Sequence, residues 1–267
     1  MRLRQSQHGR GAVNADRGRQ WRGVSLKLRG AIWLVVAIRR AGATMIKQVS
    51  FFKRKSGLTV DAFQQHWRTR HAELVCRLPG LRRYVQNHVS ESAYRRSEPI
   101  FDGVAEAWFD TLDDMRANVD SAALAAIRAD EPDFIARATM GSLLTEEHVV
   151  IDGVPPEGAV KLIPFINKRA DISAEQFQAH WRGQHAALVR EVREQIRYVQ
   201  CHVRLGVYRT ARVPRFDGVP MSWFASMDTL RASGQSPQFA AVKRDEAHFL
   251  ATSDIPFVIC REIAIKR

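Results

Sequence analysis

Cysteine is scarce in this sequence, and its spacing fits no metal site. Cys76, Cys201 and Cys260 are odd in number, and no pair of them has CxxC spacing. This argues against a disulfide framework and against a structural zinc site. Each thiol is read as a small buried apolar residue, and unpaired thiols are typical of a cytoplasmic protein.

Long apolar runs and nucleotide-binding motifs are missing as well. The apolar run Ala31–Ile38 has eight residues, whereas a helix needs about 20 to cross a bilayer core. We therefore expect no membrane partner. The chain has no phosphate loop, no dinucleotide-binding glycine pattern and no nucleophile elbow, which argues against ATP, NAD and flavin enzymes.

Acidic residues are nearly absent from residues 1–44. This segment has nine Arg and one Lys against the single acid Asp16, so it carries +9 of the net +13 and leaves +4 for residues 45–267. An Arg-rich, acid-poor segment is typical of a transit peptide or a nucleic-acid-binding arm. Our preferred interpretation is a disordered extension or a mis-assigned start, with no specific nucleic-acid partner.

The remaining sequence is a repeat organised around one helical motif. His66-Trp67-Arg68-Thr69-Arg70-His71 returns 114 residues later as His180-Trp181-Arg182-Gly183-Gln184-His185. Later matches include Tyr84 with Tyr198 and His88 with His202. We predict a first domain at 45–152, a linker at 153–159 and a second domain at 160–267.

Hydrophobic periodicity predicts the same element order in both copies, β-α-β-β-α-β. Thr59 and Ser173 are the expected caps of the first helix in each copy. A second helix is predicted over Leu112–Phe134, with a break near Pro132. This order is ferredoxin-like, with both helices on one face of an antiparallel sheet. We predict an α+β protein whose two repeats pack sheet to sheet as a pseudo-dimeric α+β barrel within one chain.

Histidines supply the main candidates for chemistry. At about 100° per residue, His71 lies in the apolar stripe with Trp67, and His66 lies on its edge. A buried imidazole is either a hydrogen-bonded core residue or part of a cavity. On the next strand, Tyr84 and His88 share one face with Gln86, and Asn87 lies on the other.

Glu106 on the third strand completes the candidate set of the first copy. His71, His88, Tyr84 and Glu106 are the predicted catalytic residues, and the alternative for Glu106 is an ion-paired acid. The second copy has Met221 for Glu106 and Cys201 for Asn87, so we look for chemistry in the first copy. The predicted substrate-binding residues are Trp67, Asn87, Trp108, His66, His185, His202 and Tyr198.

No metal site is predicted. The spacing of His66 and His71, i and i+5, points their rings apart on an α-helix, unlike the i, i+4 pair of a metallopeptidase. A metal or haem site between His71 and His88 is the open alternative.

At these residues the chain resembles the EthD family of the dimeric α+β barrel superfamily. The resemblance lies in the His-Trp-x-x-x-His helix motif, in Leu78–His88 with its Tyr-Val-Gln-Asn-His strand, and in Phe101–Phe109. The resemblance implies a ferredoxin-like barrel that acts on small organic molecules; relatives in the superfamily include cofactor-free monooxygenases, cyclases and dehydratases. The fold alone does not fix the reaction.

Two classes of function follow. The first is a cofactor-independent enzyme for a small apolar or aromatic substrate, with a dry pocket lined by Trp67, Tyr84 and Trp108 and with His71 or His88 as general base. The second is a non-catalytic binding or accessory protein for a partner oxygenase. Nucleic-acid binding through the basic tail is a third, weaker option. Further dimerisation of the fused barrel stays open.

Overall fold

A computed structural model describes residues 45–95, 97–210 and 213–267, so the prediction for residues 1–44 lies outside the described part. The strands are β1 Ile46–Phe52, β2 Leu81–Val89, β3 Gly103–Phe109, β4 Gly141–Asp152, β5 Val160–Pro164, β6 Gln195–Val203, β7 Gly218–Phe224 and β8 Phe257–Lys266. In the first repeat the helices are α1 Val60–His66, α2 Ala72–Cys76, α3 Glu91–Tyr94, α4 Leu112–Arg116 and α5 Ala122–Phe134. In the second they are α6 Ala174–His180, α7 Ala186–Arg190, α8 Leu205–Tyr208, α9 Met227–Gly234 and α10 Pro237–Glu246.

The strands of both repeats form one closed antiparallel barrel in the order β1-β3-β2-β8-β5-β7-β6-β4. Each repeat contributes four adjacent strands, and the two sets join along the β2–β8 and β4–β6 seams. The predicted fold class is confirmed. The repeats are joined more closely than by face-to-face packing, because hydrogen bonds between their edge strands leave no open edge.

The barrel interior is filled at one end by aromatic rings. Phe51, Phe101, Phe165 and Phe216 lie with neighbouring ring centroids 4.6–6.3 Å apart, inside a larger apolar cluster. Alternate residues of each strand point outward to the helices. Two cavities in the described part of the chain lie outside the barrel, between the sheet and the helices.

Helix boundaries follow the capping residues. Thr59 Oγ1 accepts a hydrogen bond from the Ala62 amide, and Ser173 forms a capping box with Gln176, as the sequence predicts. The break in the second helix was predicted in the wrong place. It falls between α4 and α5, where Ser121 caps α5, while Pro132 stays inside α5. Pro132 lies in the last turn of α5, so its missing amide removes one hydrogen bond to the preceding turn near the end of the helix and does not divide it.

Among the described residues, no helix combines the length and the apolar character needed to cross a membrane.

Candidate functional site

The repeated motif forms a π-helical turn in both copies, at Trp67–His71 and at Trp181–His185. In a π-helix the hydrogen bonds run from i to i+5, so residues five apart lie on the same side. This corrects the prediction that the rings of His66 and His71 point apart, which assumed α-helical geometry. Both rings contact one carboxylate of α5.

That carboxylate is Asp130, and it holds the two histidines together. Its Oδ2 accepts from His71 Nδ1 at 2.9 Å, and its Oδ1 accepts from His66 Nε2 at 3.0 Å and from Arg70 Nε at 2.9 Å. Burial would raise the pKa of Asp130, but the hydrogen bonds from His66 and His71 outweigh it and lower the pKa. Asp130 is therefore an anion that orients His71.

His71 turns its other nitrogen toward an open space. Among the described residues, none forms a hydrogen bond with His71 Nε2, and the ring lines a cavity of about 400 Å³ between the helices and the sheet. Burial lowers the pKa of His71, and Asp130 only partly opposes this. With Nδ1–H donated to the carboxylate, the neutral ring presents a free lone pair at Nε2.

Tyr84 lines the same cavity with an unused hydrogen. Its hydroxyl accepts from Trp67 Nε1 at 3.1 Å and from Gln86 Nε2 at 3.2 Å, and no described residue accepts its proton. Burial raises the pKa of Tyr84 to about 12, so the phenol stays protonated. It can donate a hydrogen bond to a ligand oxygen.

His88 lies behind this cavity. Its ring stacks on Trp67 with centroids 4.5 Å apart, and its Nε2 donates to Gln86 Oε1 at 2.9 Å. Burial lowers the pKa of His88 to about 4. His88 does not line the cavity that His71 lines, so the structure does not bring together the two histidines of the haem alternative. His202 repeats this arrangement, packed on Trp181 at 4.2 Å.

Glu106, Asn87 and Trp108 point to the opposite side of the sheet, into the barrel. Glu106 bridges Lys47 and Lys161, the equivalent lysines of the two repeats, with Oε2 at 2.5 Å from Lys47 Nζ and Oε1 in contact with Lys161. It also accepts from Asn87 Nδ2 at 2.7 Å. The structure corrects the expectation that these residues share the cavity with His71.

This ion cluster continues toward the end of the barrel opposite the aromatic rings. Lys47 Nζ lies 2.8 Å from Glu147 and 4.6 Å from the Trp108 ring, and Trp108 Nε1 donates to Glu147 Oε2 at 3.0 Å. Lys161 makes the same contacts with Glu262 and Trp223. The lysine charges outweigh burial and lower the pKa of Glu106 far below its usual range. Glu106 is therefore an ion-paired acid, which was the alternative to the predicted catalytic role.

The second repeat has a cavity at the equivalent place, with counterparts of His71, Asp130, Trp67 and Tyr84. His185 Nδ1 donates to Asp245 Oδ2 at 2.9 Å, and Trp181 Nε1 donates to Tyr198 at 3.1 Å. His185, Trp181 and Tyr198 border a cavity of about 540 Å³. The departures at Cys201 and Met221 lie inside the barrel, so they leave this cavity intact. The part of our doubt about a second site that rested on Cys201 and Met221 therefore concerned the other face of the sheet.

The repeated Phe-Asp-Gly motif positions the loops around the cavities. Asp102 accepts from Tyr94 at 2.7 Å and from the Arg54 amide at 2.9 Å, and it pairs with Lys53 at 3.0 Å. A Cβ on Gly103 would lie 2.6 Å from the Trp67 ring. Gly103 therefore lets the indole lie directly on the strand.

Sequence reasoning missed Asp130, Glu131 and their equivalents Asp245 and Glu246. The signal was available, because Asp-Glu stands three residues before a phenylalanine in both copies, Phe134 and Phe249. Glu131 lines the first cavity, where burial raises its pKa. In the described part of the chain, no three His, Cys, Asp or Glu side chains are grouped to hold a metal ion.

Barrel and cavities together define a protein of the dimeric α+β barrel class. The EthD domain model matches residues 55–138 and 169–253, and the chain belongs to the EthD family. No curated protein sequence matches it.

Solved structures with this fold are distant in sequence. An anthrone oxidase-like protein superimposes with a TM-score of 0.59 at 10% identity, over 84% of this chain and 94% of the other. A proposed monooxygenase from Fusobacterium nucleatum gives 0.51 at 10% identity, over 84% and 94%. A proposed chlorite dismutase gives 0.51 at 9% identity, over 83% and 96%. At these identities the likeness shows the fold alone.

Proposed function

We propose that this chain is a cofactor-independent enzyme that deprotonates a small apolar or aromatic molecule. The observation that carries the proposal is the Asp130–His71 pair: the free Nε2 of His71 borders a cavity with a mainly apolar lining, which Tyr84 also lines. A neutral imidazole oriented by a carboxylate is a general base. Dehydratase, cyclase and cofactor-free oxidoreductase chemistry can each begin with such a proton transfer.

Each residue has a separate role in this step. His71 Nε2 takes a proton from an acidic C–H or O–H of the substrate. The electron pair moves from carbon to the neighbouring carbonyl oxygen in the first case and stays on the oxygen in the second. The Tyr84 hydroxyl donates a hydrogen bond to that oxygen, where negative charge develops. Asp130 keeps Nδ1 protonated and stabilises the imidazolium that forms. Trp67 orients Tyr84 through its indole N–H.

The second repeat can perform the same step with His185, Asp245 and Tyr198. His66 acts indirectly in this proposal, because it bonds to Asp130 and stacks on Phe134. Glu106, Asn87 and Trp108 hold the barrel together and touch no substrate. His88 and His202 are packed neutral residues that support Trp67 and Trp181.

Hydrogen–deuterium exchange at an acidic C–H tests the proposal directly. The full chain is incubated in D₂O with aryl-substituted 1,3-dicarbonyl compounds, and loss of the signal of the C–H proton between the two carbonyl groups is followed by NMR. We expect catalysed exchange that falls roughly 10²- to 10⁴-fold in the double variant His71→Asn, His185→Asn. The comparison variant His88→Gln should lower the rate far less than the double variant, because His88 borders neither cavity and acts only by packing on Trp67.

Two results would overturn the enzymatic proposal. One is an exchange rate that is unchanged in the double variant. The other is a set of compounds that bind to the wild type, seen as a raised melting temperature, without any catalysed exchange. The second result would favour the binding or accessory protein for a partner oxygenase.

A further inference from the structure

The strands form one side of each cavity, which we call its floor. The two cavities differ in the positions of the polar residues on this floor. Counterparts of the catalytic residues occupy both, but the remaining floor residues on the strands do not correspond in chemistry. The first cavity has Gln48 and Ser50 on β1, and the second has Leu162 and Pro164 at the same places on β5. The second has Ser222 on β7, where the first has Ala107 on β3.

In the first cavity the polar pair lies far from the tyrosine. Gln48 is registered with Ala107, which is registered with Tyr84, so Gln48 and Tyr84 are two strands apart. Strands are spaced by about 5 Å, so the backbones that carry the two polar groups lie about 10 Å apart. Gln48 Nε2 donates to Ser50 Oγ at 3.0 Å, and no described residue accepts the Ser50 hydroxyl proton.

In the second cavity the polar pair lies beside the tyrosine. Ser222 is the direct register partner of Tyr198, one strand away, at about 5 Å. Gln195 Nε2 donates to Ser222 Oγ at 3.2 Å, and the Ser222 proton has no acceptor among the described residues. Both serines are 7% exposed, so each offers a donor on a buried floor.

Beyond this pair, the floor of the second cavity is apolar. Leu162 and Pro164 continue to Ile259 and Phe257 on β8, which border the cavity as well. These four side chains offer no hydrogen-bond partner, and a polar ligand group buried against them without a partner costs about 1–3 kcal/mol. The larger volume of the second cavity therefore accommodates an apolar body.

We propose that the two cavities select different ligands of one class, distinguished by the spacing of two oxygen-bearing groups. The first takes a molecule with polar groups at opposite ends, one at Tyr84 and one at the Gln48–Ser50 pair. The second takes a molecule with both polar groups at one end, at Tyr198 and Ser222, and an apolar remainder over Leu162. This inference rests on the proposed function for the placement of the reacting end at the tyrosine.

Two probes of similar size separate the alternatives. One is a biphenyl with a hydroxyl at each far end, and the other is a naphthalene with both hydroxyls on one ring. Binding to the full chain is followed by NMR of methyl-labelled methionine. Met115 and Met140 border the first cavity and Met227 borders the second, while Met221 is enclosed in the barrel as an internal control.

The biphenyl diol is expected to shift Met115 and Met140 at the lowest concentrations, and the naphthalene diol is expected to shift Met227. Gln48→Leu gives the first cavity the residue type that the second repeat has at this place. It should weaken binding of the biphenyl diol about tenfold, which corresponds to the loss of one hydrogen bond. Ser222→Ala gives the second cavity the residue type that the first repeat has at this place. It should weaken binding of the naphthalene diol by a similar factor. Each substitution leaves the other cavity unchanged.

Equal affinities of both probes for both cavities would overturn the inference, and so would substitutions without effect. Failure of the proposed function looks different. If each probe shifts its own methionines but no His71-dependent exchange occurs, the selectivity stands and the enzymatic role fails. If exchange depends on the histidines but the probes do not discriminate, the enzymatic role stands and the selectivity fails.

Discussion

Glu106 should be the most stabilising single carboxylate of the barrel interior, and Glu106→Gln tests this. The side chain is 2% exposed and contacts both lysines of the ion cluster. Breaking a buried ion pair by removing one partner costs about 3–5 kcal/mol. Each lysine keeps one further carboxylate, Glu147 or Glu262, so we expect a loss near the lower end, about 3 kcal/mol.

Thermal unfolding measures this loss. For a domain of 150–250 residues, 1 kcal/mol corresponds to about 2–4 °C, which predicts a melting temperature about 6–12 °C lower in Glu106→Gln. Glu131→Gln is the matched control, because it makes the same change at another buried carboxylate. Burial raises the pKa of Glu131, so the charge is a cost there, and its removal should leave the melting temperature unchanged or slightly higher.

The pH dependence of the difference follows from the sign of the shift. The pKa of Glu106 is lowered from 4.5 in the folded chain, so its stabilisation is complete above pH 4.5 and declines as the pH falls below it. The difference in melting temperature between wild type and Glu106→Gln should therefore be constant from pH 8 to about 5 and shrink in more acid solution. A gap under about 1 °C at pH 7, or one that grows with acid, would refute the reasoning.

Three further predictions concern the helix motif and its loop. Gly103→Ala should lower stability by about 1–3 kcal/mol because its Cβ would meet the Trp67 ring at 2.6 Å, whereas Gly183→Ala, with nothing within 4 Å, should be neutral or stabilising in denaturant melts. Asp102→Asn removes the anion that binds Lys53 and Arg54, and calorimetry should show a loss of about 3 kcal/mol; an unchanged melting profile would contradict this. The acid limb of the exchange rate should lie below pH 6.5, since burial lowers the pKa of His71, and Asp130→Asn should move it lower still while slowing exchange; a limb above pH 6.5 would exclude His71 as the base.

Element order and fold class could be predicted because they depend on local patterns. The repeat shows which residues correspond, and the capping residues Thr59 and Ser173 predict where the helices begin. The alternation of side chains along a strand places Tyr84 and Asn87 on opposite faces. Which of those faces belongs to the cavity was not predictable, because both are buried. It depends on whether the sheets stack or close, and closure is decided by edge pairing between residues far apart in sequence.

The partner of His71 was missed for a different reason. An α-helical wheel separates His66 from His71, and only a π-helical turn brings them to one carboxylate. No local sequence pattern predicts the wider turn of a π-helix. Comparison of the two copies around Asp130 and Asp245 carried the information, since the acid recurs while its neighbours Ala129 and Arg244 differ.

A carboxylate shared by Lys47 and Lys161 has a consequence for how such a barrel can evolve. In an assembly of two identical chains, any residue beside the two-fold axis faces its own duplicate, so a central glutamate would bring a second negative charge with it. Covalent fusion removes that obligation, and Met221 occupies the place of the duplicate. One gene can then change the halves separately, in the shared interior and in the two cavities alike.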